Sequence, residues 1–565
     1  MAAASSSTLL LDEHFAAGDA RFLDELLASA ASKKLKSFAD RWFIDARPFA
    51  REMLVRYIDD GCDRPHHRPL VKALFKKAEA AGDDEIMGHF LAAFDRFVKR
   101  TATATSVWDR VARTSIPSVH LRQDGTVPEA SGNRDTRSPQ FSRRTRRYLR
   151  RRAFRYFRKV ARADAQRYGK AIRAALALYR DQHLDKPERL LDAWGLMHAL
   201  YWSSPVLSRD PKGIRVTKGR SMAELEPSPF CPDAWNGCLG ALIELLEKAE
   251  SRTVRAFTIA LLRRDYAVVL RSLSLQKIRG LLRSRHEEVQ TFAAELLRTG
   301  RGVENLSLEE WLDLLTIENP VALPLLCELV EKYVLPQRLT LGQTLELACS
   351  RAAPVAELGL RWAQKKPVEG EAGIAAITVL ARAGAQRVRQ EGIDWVLGLI
   401  EKTPAAQPEH LRELLDARHA DVRSRALIVF HKVPRFQDST LLWAALSESP
   451  YEDVRAFLVK HLGERESTFE ADTLRQLWVT ILLAVHRGGR AKRAALTQVA
   501  ERVARRPAEA ASLLPLLGLA LRSVRAPERR TALAAVTRAA FREPRLREAI
   551  AHALPELRLE STEAA

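Results

Sequence analysis

The sequence predicts an all-α protein, an α-solenoid of stacked antiparallel helix pairs. Three observations carry that prediction. Segments of one type recur 33 residues apart, at Leu273–Leu282 (LSLQKIRGLL), Leu306–Leu315 (LSLEEWLDLL) and Leu339–Ala348 (LTLGQTLELA). A second series of helix starts, 32 to 35 residues apart, falls at Val254, Val289, Val321, Val355, Val388, Val422 and Val454. Apolar residues follow five and eight places later, as at Leu427 and Phe430, which puts one apolar stripe on one helix face. A single pair cannot bury such a stripe alone, and stacked neighbours can.

The elements follow in chain order. Residues 1–8 (MAAASSST) lack the basic start of a signal peptide and are expected to be disordered. Residues 9–112 carry helical apolar spacing without the 33-residue period, and Gly82-Asp83-Asp84 marks a turn with acids opening the next helix. Residues 113–140 are polar, rich in Pro, Ser and Gly and aperiodic, which predicts a long flexible loop. Residues 141–201 form an arginine-rich helical segment. Residues 202–240 are a non-repetitive connector, in which VLSRDPKGIRV places a turn between two short extended runs and predicts a small β-hairpin. The repeats occupy 241–555, with degenerate units around Lys492–Leu496 and Arg529–Leu533, and 556–565 are a tail.

Within the repeats, Ser307 with Glu310 and Thr340 with Gln343 fit the capping box, whereas Ser274 is followed by Lys277 and has no box. Pro324 falls inside one expected second helix, which should kink or start later. Four of the seven valines are followed by arginine: Arg255, Arg389, Arg423 and Arg455. The clearest unit, Leu411–Phe430 (LRELLDARHADVRSRALIVF), reads as helix, turn, acidic helix start at Asp421 and second helix. These units resemble HEAT repeats, in which Asp-x-Val-Arg or similar opens the second helix. The resemblance implies a fold and little about function. HEAT arrays are mostly scaffolds and adaptors, some bind DNA or RNA, and a few are DNA glycosylases that use a carboxylate and aromatics in a groove.

Charge supplies the functional expectation. The chain has 565 residues, 91 of them Lys or Arg against 70 Asp or Glu, and the net charge of +21 favours acidic partners. An Ala-, Leu- and Arg-rich composition alone would give some of that excess, so its distribution decides. From Arg134 to Arg180 there are 17 basic and 2 acidic residues. Ser142 is a candidate N-cap. At about 100° per residue, Leu149, Ala153, Tyr156 and Val160 share one face. Arg143, Arg144, Arg147, Arg150, Arg151, Arg155, Arg158 and Arg162 cover the other side, with Phe154 among them. Guanidinium groups contact phosphate bidentately, and Phe154 or Tyr148 are candidates to stack on unpaired bases. The competing readings are an acidic protein partner and a face that is solvated or paired internally.

Catalytic signatures are missing. GGRAKR at 488–493 lacks P-loop spacing, His286-Glu287-Glu288 has no second zincin histidine, and no G-x-S-x-G occurs. Cys231 and Cys238 are a poor zinc pair, and His66-His67 reads as a surface or capping feature. Trp362 and Trp395 fall at matching repeat positions, as core or groove residues do. Five cysteines are too few for a disulfide scaffold, and no apolar run reaches membrane-span length. The expectation is a cytoplasmic, non-enzymatic scaffold without cofactor or metal. It binds nucleic acid, DNA or RNA, through the arginine helix or, alternatively, serves as an adaptor for an acidic protein. A HEAT-like DNA glycosylase is the remote alternative, with no Asp or Glu marked for the role.

Overall fold

Apolar side chains at three- and four-residue spacing bury one face of helix after helix. The computed structural model is accordingly mostly helical. It describes residues 2–29, 32–62, 67–96, 100–109, 113–123, 143–184, 187–210, 213–483 and 489–557. The chain forms two compact units, Met1–Asn305 and Leu306–Ala565.

The first unit opens with α1 (Ala2–Ala17), α2 (Arg21–Ala28), α3 (Ser32–Ile44), α4 (Pro48–Asp60), α5 (Arg68–Ala81) and α6 (Asp84–Arg96). Residues 2–8, expected to be disordered, thus begin a helix. Phe15, Phe22, Phe38 and Trp42 form an aromatic core between α1, α2 and α3. Strands β1 (Arg100–Asp109) and β2 (Thr114–Gln123) then pair antiparallel over ten residues. Both strands depart from expectation, β1 lying where the sequence predicts helix (9–112) and β2 where it predicts a flexible loop (113–140). Thr101, Thr103, Thr105, Val107 and Trp108 are β-formers, and pairing satisfies the backbone groups of both strands. The rest of the expected loop, 124–140, lies outside the described residues, as does Ser142.

The unit continues with α7 (Arg143–Ala163), α8 (Ala165–Ala177), α9 (Pro187–Asp192) and α10 (Trp194–Leu200). The expected hairpin follows, with β3 (Leu207–Asp210) antiparallel to β4 (Gly213–Val216). Then come α11 (Leu239–Lys248), α12 (Arg252–Asp265), α13 (Ala267–Leu270), α14 (Leu275–Leu282) and α15 (Glu287–Thr299). These five helices, α11 to α15, fall within the 241–555 stretch of the sequence repeat or at its edge, yet belong to the first unit. Helix α11 packs on α8, and the Arg255 guanidinium lies 3.3 Å from Asp181.

The second unit contains α16 (Leu308–Leu314), α17 (Ala322–Tyr333), α18 (Leu341–Ala348), α19 (Ala353–Ala363), α20 (Gly370–Ile377), α21 (Gln386–Lys402), α22 (Pro408–Leu415) and α23 (Ala420–Lys432). It ends with α24 (Pro434–Gln437), α25 (Thr440–Glu448), α26 (Glu452–Glu464), α27 (Ala471–Leu483), α28 (Gly489–Arg505), α29 (Ala510–Leu521), α30 (Ala526–Arg542) and α31 (Leu546–Ala553). Second helices pack on their own first helices and on the next second helix, as in α21–α23–α26–α28–α30. One continuous core runs from Leu345 to Leu554, and Trp362 is buried in this unit. The capping boxes form: Glu310 and Gln343 backbone amides each donate to the Ser307 and Thr340 hydroxyls at 3.2 Å. Helix α17 starts at Ala322, so Pro324 sits in its first turn, where it costs little.

The arginine after the repeat valine is structural. Arg255, Arg389, Arg423 and Arg455 are buried, and each donates from Nη1 to the carbonyl six residues back. Those carbonyls belong to Ala249, Ala383, Ala417 and Ser449, in the turn before the helix. Three of them also reach an acid in the first turn of the next second helix: Arg255 to Glu288, Arg389 to Asp421 and Arg423 to Asp453, at 2.6 to 3.1 Å. Gln290 makes the same turn contact to Ser284, and Arg529 makes it to Ser523 in the degenerate last unit. In α4, Arg51 pairs with Glu85 at the start of α6, 34 residues on.

Candidate nucleic-acid interface

Helix α7 has 21 residues, about 31 Å at 1.5 Å per residue. Leu149, Ala153, Tyr156, Phe157 and Val160 are buried, and α7 packs through them on α6, α8 and α10. Asp164 ends it and caps α8, its Oδ1 accepting from the Gln166 and Arg167 amides at 2.8 and 3.0 Å. Two further anchors fix the rotation of α7. Arg152 donates to Glu79 of α5 at 2.8 Å, and the Tyr156 hydroxyl donates to Asp84 of α6.

A buried carboxylate positions α10 beside α7. Asp95 of α6 accepts from the Tyr179 hydroxyl at 2.7 Å and from the Gly195 and Leu196 amides at 2.9 and 3.1 Å. It therefore satisfies the open N-terminus of α10. Burial nevertheless pushes its pKa up to about 6. On α10, Trp194 and His198 lie one turn apart with rings 4.0 Å apart, and Trp202 follows. The His198 Nδ1–H donates to the Trp194 carbonyl at 2.7 Å. Burial, reinforced by the charges of Arg209, Arg158 and Arg150, lowers the His198 pKa to about 4, so the ring is neutral at pH 7.

This packing removes two residues from the expected ligand-facing set. Arg150 is 1% exposed, donates from Nη1 to the Asp192 carbonyl at 2.7 Å and lies over Trp194. Phe154 is 2% exposed and packs among His198, Trp202 and Phe230. Both sit on the flank of α7 that α10 and the connector cover. They are core contacts, and Phe154 is not placed to stack on a base. His67 is likewise in the core, bonded to the Tyr57 hydroxyl at 2.9 Å, and His66 lies outside the described residues.

The remaining arginines form a narrower surface. Arg147, Arg151, Arg155, Arg158 and Arg162 fall within about 80° of the helix surface, opposite the buried face, and run about 22 Å along it. Arg155 and Arg162 are exposed, and Arg147, Arg151 and Arg158 are half-buried. Arg143 and Arg144 lie in the first turn, and only their backbone is described. Arg151 lies over Trp194 at 4.7 Å and Arg158 over Trp202 at 5.1 Å. Tyr148 is exposed beside the stripe, its hydroxyl accepting from Arg152 at 2.8 Å. Among the described residues, no carboxylate pairs with Arg155, Arg158 or Arg162, although ion pairs are common elsewhere in the chain. Sequence reasoning missed Trp194, His198 and Trp202, although the i, i+4 spacing of Trp194 and His198 marks one helix face. It also missed Arg209 of β3.

No protein-family model matches the chain, and no curated protein matches it. Among the described residues no helix is long and apolar enough to cross a membrane, and no group of three or more His, Cys, Asp or Glu is placed to hold a metal ion.

Proposed function

We propose that this is a non-enzymatic binding protein, a scaffold of HEAT-like helix pairs stacked as an α-solenoid, that holds nucleic acid along α7. The observation that carries the reading is the arginine stripe, with three cations that no carboxylate neutralises among the described residues. Elsewhere in the chain arginines pair with acids, as at Arg389 and Arg423, so three cations of one helix face without a carboxylate among the described residues favour an external anion. The helix-pair packing and the recurring arginine–acid contacts support the HEAT-like reading. The five cysteines are all thiols, which suits a reducing cytoplasm.

The test is the salt dependence of oligonucleotide binding. Five phosphate contacts give a slope of log K against log salt of about −4.5 on duplex and about −3.5 on a single strand. The double variant Arg155→Glu, Arg162→Glu changes only exposed side chains. It should lose most binding and flatten the slope by roughly 2. Wild-type binding by that variant refutes the reading.

A second reading, an adaptor for an acidic protein, is favoured by α30. Phe541 is 83% exposed and lines a shallow apolar hollow with Leu533, Arg530 and Arg538. It predicts weak, salt-insensitive nucleic-acid binding and a defined protein partner that co-purifies after nuclease treatment.

A further inference from the structure

Two arginines from separate parts of the first unit meet at one indole. Arg158 of α7 lies 5.1 Å from the Trp202 ring centroid, and Arg209 of β3 lies 5.7 Å from it. Two positive charges thus share one ring, and among the described residues neither arginine has an ion pair to neutralise it. Their hydrogen bonding is also incomplete. The Nε of each is buried without an acceptor, and Arg209 spends an Nη2–H on the Tyr201 carbonyl. His198, in contact with Trp202, stays neutral and adds no positive charge at pH 7. The Trp202 indole and the half-buried stems hold both guanidinium groups in place before any ligand arrives, which lowers the ordering cost of binding.

We propose that Arg158 and Arg209 form a clamp on Trp202 that grips a phosphate group of a nucleic-acid strand, extending the interface from α7 onto the β3–β4 hairpin. The proposal rests on reading the α7 stripe as a nucleic-acid surface. Continuity favours a strand phosphate, because Arg158 belongs to the stripe and to the clamp. The guanidinium fork suits phosphate because it offers two parallel N–H donors to two oxygens. Trp202 is a positioning residue here, acting through the two arginines.

The experiment measures binding of the full chain to a labelled 16-nucleotide single strand and to the matching duplex, across a salt series. The variants are Arg209→Ala, Arg209→Lys and Arg215→Ala. Arg215 is an exposed cation of the same hairpin, so its loss controls for net charge. Arg209→Ala should weaken binding about tenfold and reduce the salt slope by roughly one contact. Arg209→Lys should lie between it and wild type, because it keeps the charge and loses the fork. Arg215→Ala should stay within about twofold of wild type. Circular dichroism melts establish that each variant is folded, and the lysine variant carries the test if alanine unfolds the hairpin. Equal affinities for Arg209→Ala and Arg215→Ala overturn the clamp while leaving the stripe reading intact. If wild type binds neither oligonucleotide, the stripe reading fails and the nucleic-acid clamp fails with it. A titration with inorganic phosphate, followed by tryptophan fluorescence, then separates the cases. A saturable change lost in Arg209→Ala keeps a phosphate clamp fed from another source, and no change overturns that too.

Discussion

Arg423 offers the sharpest test of what holds the repeats together. Its guanidinium donates to the Ala417 and Arg418 carbonyls at 2.8 and 2.9 Å and to Asp453 at 3.0 Å, and it lies 3.7 Å from the Tyr451 ring centroid. Replacing it with Met keeps the packing of the stem and removes the polar contacts. The two carbonyl contacts from a charged donor account for roughly 2 kcal/mol. The cation–π contact adds about 0.5 to 1 kcal/mol. Asp453 is 41% exposed, so the ion pair adds no more than about 1 kcal/mol. The expected loss for Arg423→Met is about 3 kcal/mol. Hydrogen exchange resolved by mass spectrometry reads this locally, on peptides spanning the Ala417 turn and α23, as a roughly hundredfold rise in the opening constant. In a double-mutant cycle with Asp453→Asn the coupling should be about 1 kcal/mol. A rise of less than tenfold, or zero coupling, would show that these arginines decorate the turns without fastening one helix pair to the next.

The remaining predictions concern α10 and one close helix contact. His198 titrates near 4 in the folded chain against 6.5 ordinarily, so the unfolded state takes up its proton first as pH falls. Stability is therefore lost between pH 6.5 and 4, by up to about 3 kcal/mol. Asp95 runs the other way: its folded pKa of about 6 lies above 3.8, so its contribution is present below 3.8 and is lost as pH rises to 6. That loss is again about 3 kcal/mol, and the two nearly cancel. Urea unfolding of His198→Gln should expose the Asp95 leg, with the variant gaining on wild type as pH drops from 6.5 to 4. Parallel profiles would contradict the assignment. At Gly359 of α19, an added Cβ would stand 2.6 Å from the Leu347 backbone carbonyl carbon of α18. Gly359→Ala should cost about 3 kcal/mol by forcing the two helices apart, and an unchanged melting temperature would refute that close approach.

Much of the fold was legible because helix pairs announce themselves locally. Capping boxes, 33-residue spacing and apolar stripes are properties of short stretches, and each appeared where the sequence placed it. The β3–β4 hairpin was legible for the same reason. The β1–β2 pairing was not, because the scarcity of helical period in 113–123 resembles a loop until a partner strand is recognised at 100–109. The candidate interface was half legible. The arginine face follows from periodicity, but whether a flank residue meets solvent depends on the next helix to arrive. Arg150 and Phe154 point to the flank that α10 covers, and α10 is placed by Asp95, a contact about 100 residues long. Arg209 and Trp202 reach the stripe through the connector, which no helical wheel of α7 includes. The arginine after four of the seven repeat valines was visible, and its role was not, because its partners are a turn carbonyl and, in three cases, the next unit's acid.

Those partners have a consequence for how such a chain lengthens. Three of these arginines reach an acid 30 to 33 residues ahead, as Arg423 reaches Asp453 and Arg255 reaches Glu288. A duplicated segment of one period carries both an incoming acid and an outgoing arginine. The copy thus completes the contact on either side of itself, with no orphaned charge at the seam. Insertions or deletions of any other length leave one partner facing the wrong turn, so growth by whole periods is the route that preserves the interior.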